Sequence, residues 1–504
     1  MSFYLIVIEK LKKWPFHIFL LPAFFMLHNY LNLATIVPQR YFIKNYFVLT
    51  ASLIILFLLL RFYYKDNSKA GFLTTFFGTV FLFFGEIKDF LFSVPILHFF
   101  SSYKVLLPLL LVLSLLSVYK TRKVVAVPKL TIFLNILFLA YFLIELFSLA
   151  KLYKNERSDN FTHPSLSINA TPDSLPSIYY IVIDGYPSSS FLKEKLNIDI
   201  NNLDINLNKR NFFIANKSSS SYNYTAFSIA SVFTMNYLSW VKNISYNSPE
   251  DYNKAVLLIK KAPLFRWLQK NGYAINNYSF FDIADNKSIT DKKFFYVISP
   301  DIVFRNTLWN KIKWQVIPKL FPAFLKTLYK EQVIDASSKV ADYKKYDSTV
   351  YSLLIKKNPS VGNNRFFTYA HFEMPHSPYL YDSLGKGYSV SELYESDSIK
   401  RRDMYVNYIS YVNKKITAAI DSIFANCSTA PVIIIQSDHG CREDEIVTSS
   451  EDYFRNYSAF YFPDKDYRML NDSINNGNTF RIIANKFFNQ QLPLLKDTTF
   501  YLKF

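Results

Sequence analysis

The sequence predicts a five-helix transmembrane domain followed by an α/β domain on the far side of the membrane. Three observations lead there. Five apolar stretches follow one another before about Tyr153. Two later apolar runs, Ile178 to Ile183 and Val432 to Ile435, read as buried strands, and each delivers a carboxylate at its carboxyl end. Around those runs helical and strand patterns alternate, as they do in an α/β sheet.

The membrane elements come first. A chain of 504 residues is too long for one ordinary domain, and 50% hydrophobic with 18% aromatic residues is high for a wholly soluble one. The excess lies in Trp14 to Ile36, Phe47 to Leu60, Gly71 to Gly85 (or on through Phe90-Leu91-Phe92), Val105 to Val118 and Leu130 to Leu149. A span needs about 20 apolar residues. The shorter stretches are completed by flanking Tyr and Phe, which form an interfacial belt. Lys10, Lys12 and Lys13 precede the first span. Arg61, Lys65 and Lys69 follow the second, and Lys120, Arg122, Lys123 and Lys129 follow the fourth. The other loops carry only Arg40, Lys44, Lys88 and Lys104. The positive-inside rule therefore puts the N-terminus in the cytoplasm. An odd number of spans then sends the rest to the periplasm or exterior of a bacterium. The first span lacks a small-residue cleavage site and reads as an anchor. Glu86 and Asp89 read as solvated loop charge. The expected division is a transmembrane domain at 1–152, a Pro-containing linker at 153–177 and an extracytoplasmic domain at 178–504.

A formal charge of +18 raises the question of nucleic acid. The outer domain holds no dense Lys/Arg block, so no nucleic-acid partner is expected. With two cysteines, Cys427 and Cys441, a disulfide framework or a cysteine zinc module is excluded. They read as free or buried thiols, with a bridge between them as the alternative.

The candidate chemistry lies at strand ends. Val432 to Ile435 leads through Gln436-Ser437 into Asp438-His439-Gly440. Ligands of open α/β sheets bind at the carboxyl ends of strands. A carboxylate and an imidazole there make a metal corner, or else a polar turn with a hydrogen-bonded His. Asp184, after Ile178 to Ile183, repeats the pattern and can face the same crevice. Thr225 opens a helical pattern after the polar run from Ser218. It stands either where a helix N-terminus favours an anion or as a plain N-cap. Phe366 to His371 is another strand, and it runs into a turn that carries His376. Of the four His after residue 152, three fall at strand ends. They read as ligands or proton carriers, against the common structural role of a lone His. Arg442 reads equally as a phosphate partner or a surface ion pair.

Together these pieces resemble the alkaline phosphatase superfamily, and within it the membrane-anchored sulfatase-like branch of phosphoethanolamine transferases and lipoteichoic-acid-synthase-like phosphoglycerol transferases. Asp184 matches that family's acidic ligand after the first strand. Thr225-Ala226-Phe227-Ser228 is similar to its nucleophile segment, and His371 and His376 to its His pair. Asp438-His439-Gly440 matches its metal corner. The resemblance implies an α/β sulfatase-like domain and one divalent ion, Zn or Mn, on Asp184, Thr225, Asp438 and His439. Thr225 is then the catalytic nucleophile, with His376 and more weakly His371 positioning phosphate or carrying a proton. No His follows His439, which points to a single-metal arrangement, and the Cys/Ser-x-Pro-x-Arg signature of true sulfatases is absent near Thr225. The function implied is transfer of a phosphoethanolamine or phosphoglycerol type head-group. It moves from a membrane phospholipid donor to an envelope glycan or lipid through a phospho-threonine. The alternatives are a sulfatase-like or phosphodiesterase hydrolase and, further off, a non-catalytic envelope assembly protein.

Overall fold

The computed structural model describes residues 14–33, 37, 39–124, 127–155, 164, 166, 175–198, 201–241, 244–246, 249–290, 303–317, 324–356, 365–443 and 446–503. Lys10, Lys12 and Lys13, His163 and most of the expected linker lie outside the described residues. The chain forms two compact units. One comprises Met1–Asn160 with Phe295–Lys330, the other Phe161–Phe294 with Glu331–Phe504. The expectation of one outer domain over 178–504 is thereby modified, because a later segment groups with the N-terminal helices.

The first unit is helical: α1 (His17–Leu33), α2 (Gln39–Tyr64), α3 (Asn67–Leu82), α4 (Phe84–Ser93), α5 (Tyr103–Lys123) and α6 (Val127–Asn155). Three of these, α2, α5 and α6, are long and apolar enough to cross a membrane, and α3 with α4 makes a fourth if the bent pair counts as one. At 26 residues, α2 is about 39 Å long, more than a hydrocarbon core of about 30 Å. Outward side chains on these helices are apolar and exposed, for example Leu59 and Phe147. The stretch expected at Gly71 to Gly85 is not one straight helix. It breaks at Phe83 with a bend of 67°. At the bend the Gly85 N–H donates to Asn306 O at 2.7 Å, a partner far away in sequence. Asn306 also donates to Glu86 Oε1 at 3.0 Å, so Glu86 lies on a helix with a partner rather than in a solvated loop. These contacts, with Phe304 on Phe25 at 6.1 Å, explain why the 303–317 segment belongs to this unit. α1 and α6 run parallel. His17 meets Asn135, Phe24 stacks on Tyr141, and His28 meets Glu145, all in one ascending register.

The second unit is built on a six-stranded sheet of order β2-β7-β6-β1-β5-β4. Its strands are β1 (Ile178–Ile183), β2 (Phe213–Ile214), β4 (Ala274–Tyr278), β5 (Phe366–Phe372), β6 (Val432–Gln436) and β7 (Ser458–Tyr461). A separate parallel pair, β3 (Ile244–Tyr246) with β8 (Tyr501–Lys503), was not expected from pattern. β6, β1, β5 and β4 are parallel, while β7 is antiparallel to β6 and to β2. Every residue of β1, β5 and β6 is buried, as strands covered on both faces require. Each large apolar side chain buried there contributes roughly 1.5–3 kcal/mol. Within β1, β5 and β6 the side-chain amide, Gln436, is satisfied by Tyr180, Thr479 and Ser458. Helices α7 (Ser189–Leu196), α8 (Asn202–Asn208), α9 (Thr225–Thr234), α10 (Pro249–Lys261), α11 (Pro263–Lys270), α12 (Phe324–Ile355), α13 (Ser398–Asn426) and α14 (Thr479–Phe488) complete the fold.

The register decides where the chemistry goes. Ile183 pairs with Phe372, and Val182 with Gln436. Because the three strands are parallel and in this register, Asp184, His371 and Asp438 emerge along one edge. Cys427 and Cys441 are free thiols at opposite ends of β6, so no bridge joins them.

Candidate active site

Asp184 follows β1 directly and is 3% exposed, with its N–H on Phe372 O at 3.0 Å. Asp438, fully buried, accepts at Oδ1 from the Gly185 N–H at 3.1 Å. Its carbonyl accepts from Ser228 Oγ at 2.5 Å and from Asn476 Nδ2 at 3.2 Å. Ser437 Oγ donates to His439 O at 2.6 Å. The His439 Nδ1 lies 2.7 Å from Gly440 O, which only accepts, so Nδ1 carries the hydrogen and Nε2 presents a lone pair. A metal-ligating His is held in this way.

Thr225 is the first residue of α9 and is half-buried. It is not the N-cap. Tyr224 holds that position, and its side chain makes no capping bond. The helix start therefore presents the dipole and N–H groups that favour an anion. Thr225 Oγ1 donates to Asp184 Oδ2 at 3.3 Å and lies 3.5 Å from His439 Nε2. From that same Nε2, Asp184 Oδ1 is 3.3 Å away and Asp438 Oδ2 3.4 Å. Ligands about 2.0–2.1 Å from a tetrahedral ion stand about 3.3 Å from one another. The three edges meeting at Nε2 match that spacing. Asp184 Oδ1 and Asp438 Oδ2 are buried without a hydrogen-bond partner, although a buried carboxylate oxygen needs one. Asp184, Asp438 and His439 can thus hold a metal ion, with one ligand atom each within 4.8 Å of the others. The donor set, two carboxylates, an imidazole and a hydroxyl, suits Zn²⁺ or Mn²⁺.

His371, fully buried in β5, takes Tyr369 OH on Nδ1 at 2.6 Å. Its Nε2 has no hydrogen-bond partner and lies 3.7 Å from Asp184 Oδ2. His376 stands on the following turn, with Nδ1 on Ser377 O at 2.7 Å and Nε2 on Arg442 Nη2 at 2.8 Å. The structure therefore brings Asp184, Thr225, His371, Asp438 and His439 together and keeps His376 one contact further out, beside Arg442.

The electrostatics follow from burial and charge. Burial acts to raise the Asp184 carboxyl, but the facing His371 and His439 outweigh it and hold the group well below the usual carboxylate range. Burial pushes His376 down, which favours its neutral ring. Two further acids adjoin the centre. Burial and then the charges of Asp184, Asp347 and Asp438 push Glu373 well up. Burial pushes Asp347 up to about 7. Asp347 Oδ1 accepts from the Glu373 N–H at 2.9 Å, and Oδ2 is buried without a partner. Sequence reasoning passed over Asp347, Ser228 and Asn476. Ser228 sits within the Thr-Ala-Phe-Ser segment and had a local signal. Asp347 and Asn476 had none, since each reaches the centre through packing.

A mostly parallel α/β sheet with acids, a His and a helix-terminal hydroxyl at one edge fits an enzyme of the alkaline phosphatase superfamily. The chain matches the sulfatase family over residues 182–474 and belongs to that family. No curated protein matches it significantly. Similar solved structures include the C-terminal periplasmic domain of EcEptC from Escherichia coli in complex with Zn, at 12% identity and TM-score 0.37, covering 64% of this chain and 86% of that one. The integral membrane protein lipooligosaccharide phosphoethanolamine transferase A from Neisseria meningitidis is similar at 12% identity and TM-score 0.37 over 94% of each chain. The putative sulfatase yidJ from Bacteroides fragilis is similar at 12% identity and TM-score 0.37, covering 65% of this chain and 77% of that one.

Proposed function

We propose that the protein is a membrane-anchored, metal-dependent phosphotransferase. It moves a head-group of phosphoethanolamine or phosphoglycerol type from a phospholipid donor to an envelope glycan or lipid. Thr225 carries the phosphoryl group in between. The observation that supports this most is the position of Thr225 Oγ1, 3.3 Å from Asp184 Oδ2 and 3.5 Å from His439 Nε2 at a helix start.

Asp184, Asp438 and His439, with Thr225, would hold one Zn²⁺ or Mn²⁺. The chemistry such an ion supplies when bound is a lowered hydroxyl pKa at Thr225 and compensation of phosphoryl charge. Thr225 gives up its proton, and Oγ1 bonds to the donor phosphorus. The phosphorus–oxygen bond to the diacylglycerol breaks, and that oxygen takes a proton. In the second half an acceptor hydroxyl loses its proton and bonds to phosphorus, and the bond to Oγ1 breaks. The N–H groups at the start of α9 face the anion throughout. With Tyr369 OH on Nδ1, His371 carries its ring hydrogen on Nε2, 3.7 Å from Asp184 Oδ2, and is the imidazole with a proton to give there. His376 has no proton on Nε2 to give while Arg442 donates to it, so the proton for the leaving oxygen does not come from His376.

Residues 1–152 are the anchor, with five spans if α1 and the bent α3–α4 pair each cross. The parallel run of α1 and α6 supports an odd number of crossings. The catalytic unit then faces the periplasm or exterior of a bacterial cytoplasmic membrane. There an anchor raises the effective concentration of a lipid donor.

The test is intact mass of the full-length protein after incubation with divalent metal and extracted membrane lipids, wild type beside Thr225→Ala. An adduct only in wild type is expected, and its size names the head-group. Head-group transfer that survives in Thr225→Ala sinks the reading. Membership of the sulfatase family favours a second reading, a hydrolase that uses water as acceptor. Assaying donor consumption with and without a glycan acceptor separates the two.

A further inference from the structure

We propose that Arg442 grips the phosphate of the transferred head-group and that His376 is the positioning residue that holds it ready. The proposal rests on the phosphotransferase reading and adds the anion-binding part of that site. A guanidinium has only donors and keeps its charge. His376 Nε2, 2.8 Å from Arg442 Nη2, must therefore accept. Ser377 O, 2.7 Å from Nδ1, must accept too, so the ring hydrogen is on Nδ1. His376 is thus fixed in one neutral tautomer, with its turn on one side and the arginine on the other. The guanidinium lies over the ring of Tyr224, 5.1 Å from its centroid. Tyr224 directly precedes Thr225. The cation is therefore placed beside the helix start that presents the nucleophile.

What is missing around Arg442 matters as much. Among the described residues it forms no ion pair. The carboxylate next to it in sequence, Glu443, is taken by Arg401 at 2.9 Å. Glu373, whose charge it influences, lies against His376 at 3.9 Å instead. A half-buried guanidinium with one N–H on an imidazole has four left. Their fork fits two oxygens of a phosphate ester and costs little ordering, because the stacked ring and the imidazole already hold it. Among the described residues, the surface ion pair that the sequence left open does not form. The ligand is the phosphate of a lipid head-group, and free phosphate serves as the contrasting probe.

The test is calorimetric binding to the zinc-loaded full-length protein, in a Thr225→Ala background so that nothing turns over. The probes are inorganic phosphate and, separately, dihexanoyl phosphatidylglycerol and dihexanoyl phosphatidylethanolamine. Arg442→Gln should weaken lipid binding at least tenfold and leave zinc affinity unchanged. His376→Leu should weaken it several-fold, and His376→Gln, whose amide oxygen can still accept from Arg442, should recover part of the loss. Unchanged lipid affinity in Arg442→Gln overturns the proposal, and so does a loss confined to inorganic phosphate. If zinc affinity falls together with phosphate affinity, the pair is merely structural. Failure of the transferase reading shows separately, as transfer that survives in Thr225→Ala alone.

Discussion

The main-chain N–H of Gly185 donates to Oδ1 of Asp438 across 3.1 Å, which ties the two acid-bearing strand ends together. One oxygen of Asp438 is thereby occupied, and Oδ2 is turned to the centre beside His439 Nε2 at 3.4 Å. Gly185 has φ +67°, which a residue with a side chain adopts only at a cost.

Two buried carboxylates that face one imidazole repel each other unless a cation lies between them. Chelation should therefore lower the thermal unfolding midpoint of the protein, and zinc should restore it. Metal at 100 times its Kd stabilises by about 2.7 kcal/mol. Differential scanning fluorimetry with and without chelator checks this, and Asp438→Asn should remove most of the response. A midpoint that ignores both treatments would count against the metal site.

Thr225→Ser keeps a hydroxyl at the first position of α9, whereas Thr225→Ala removes it. Serine should retain measurable head-group transfer and the covalent adduct. Alanine should lose the adduct and reduce transfer on the order of 10⁴-fold or more. Mass spectrometry and a radiolabelled donor lipid read the two quantities separately.

Gly440 packs against main chain that cannot move aside. A Cβ there would lie 2.5 Å from Asp452 O and 3.0 Å from Arg455 N. Gly440→Ala should cost about 1–3 kcal/mol of stability and displace His439. Denaturant unfolding together with zinc affinity measures both, and an alanine variant with native zinc affinity would contradict the account.

Asp347 sets a pH dependence whose sign is definite. Burial raises its folded pKa from 3.8 to about 7. The folded state therefore holds a proton that the unfolded chain releases above about pH 4. The stability this group contributes is fully present below that value and is lost as pH rises through about 7. The full difference is worth roughly 4 kcal/mol. In metal-stripped protein Asp347→Asn should flatten the fall of stability between about pH 4 and 7. Urea unfolding across that range checks it, and an equally steep fall in the variant would exclude Asp347 as its source.

The elements nearest the chemistry were legible because their patterns are local. Ile178–Ile183 and Val432–Gln436 are apolar runs bounded by turn residues, and they are strands. The helix after Thr225 showed its own spacing, although Tyr224 rather than Thr225 occupies its cap. Asp438-His439-Gly440 could be picked out as three adjacent residues. The 67° break after Leu82 could not, because the Gly85 N–H donates to an acceptor more than 200 residues away, Asn306 O.

Local periodicity and chemistry thus determined the apolar N-terminal helices, the strands with carboxylates at their ends, and the residue types offered for a metal. They could not say that these residues meet. Asp184 and His439 are joined by the parallel register of β1, β5 and β6, and Gly185 and Asp438 are 253 residues apart. Arg442 could read as a surface charge until the fold placed Tyr224 and His376 against it. Hydrophobic period and turn chemistry act over a few residues, whereas strand register and side-chain partners depend on how the whole core closes. That closure brings two buried carboxylates and an imidazole within reach of one ion.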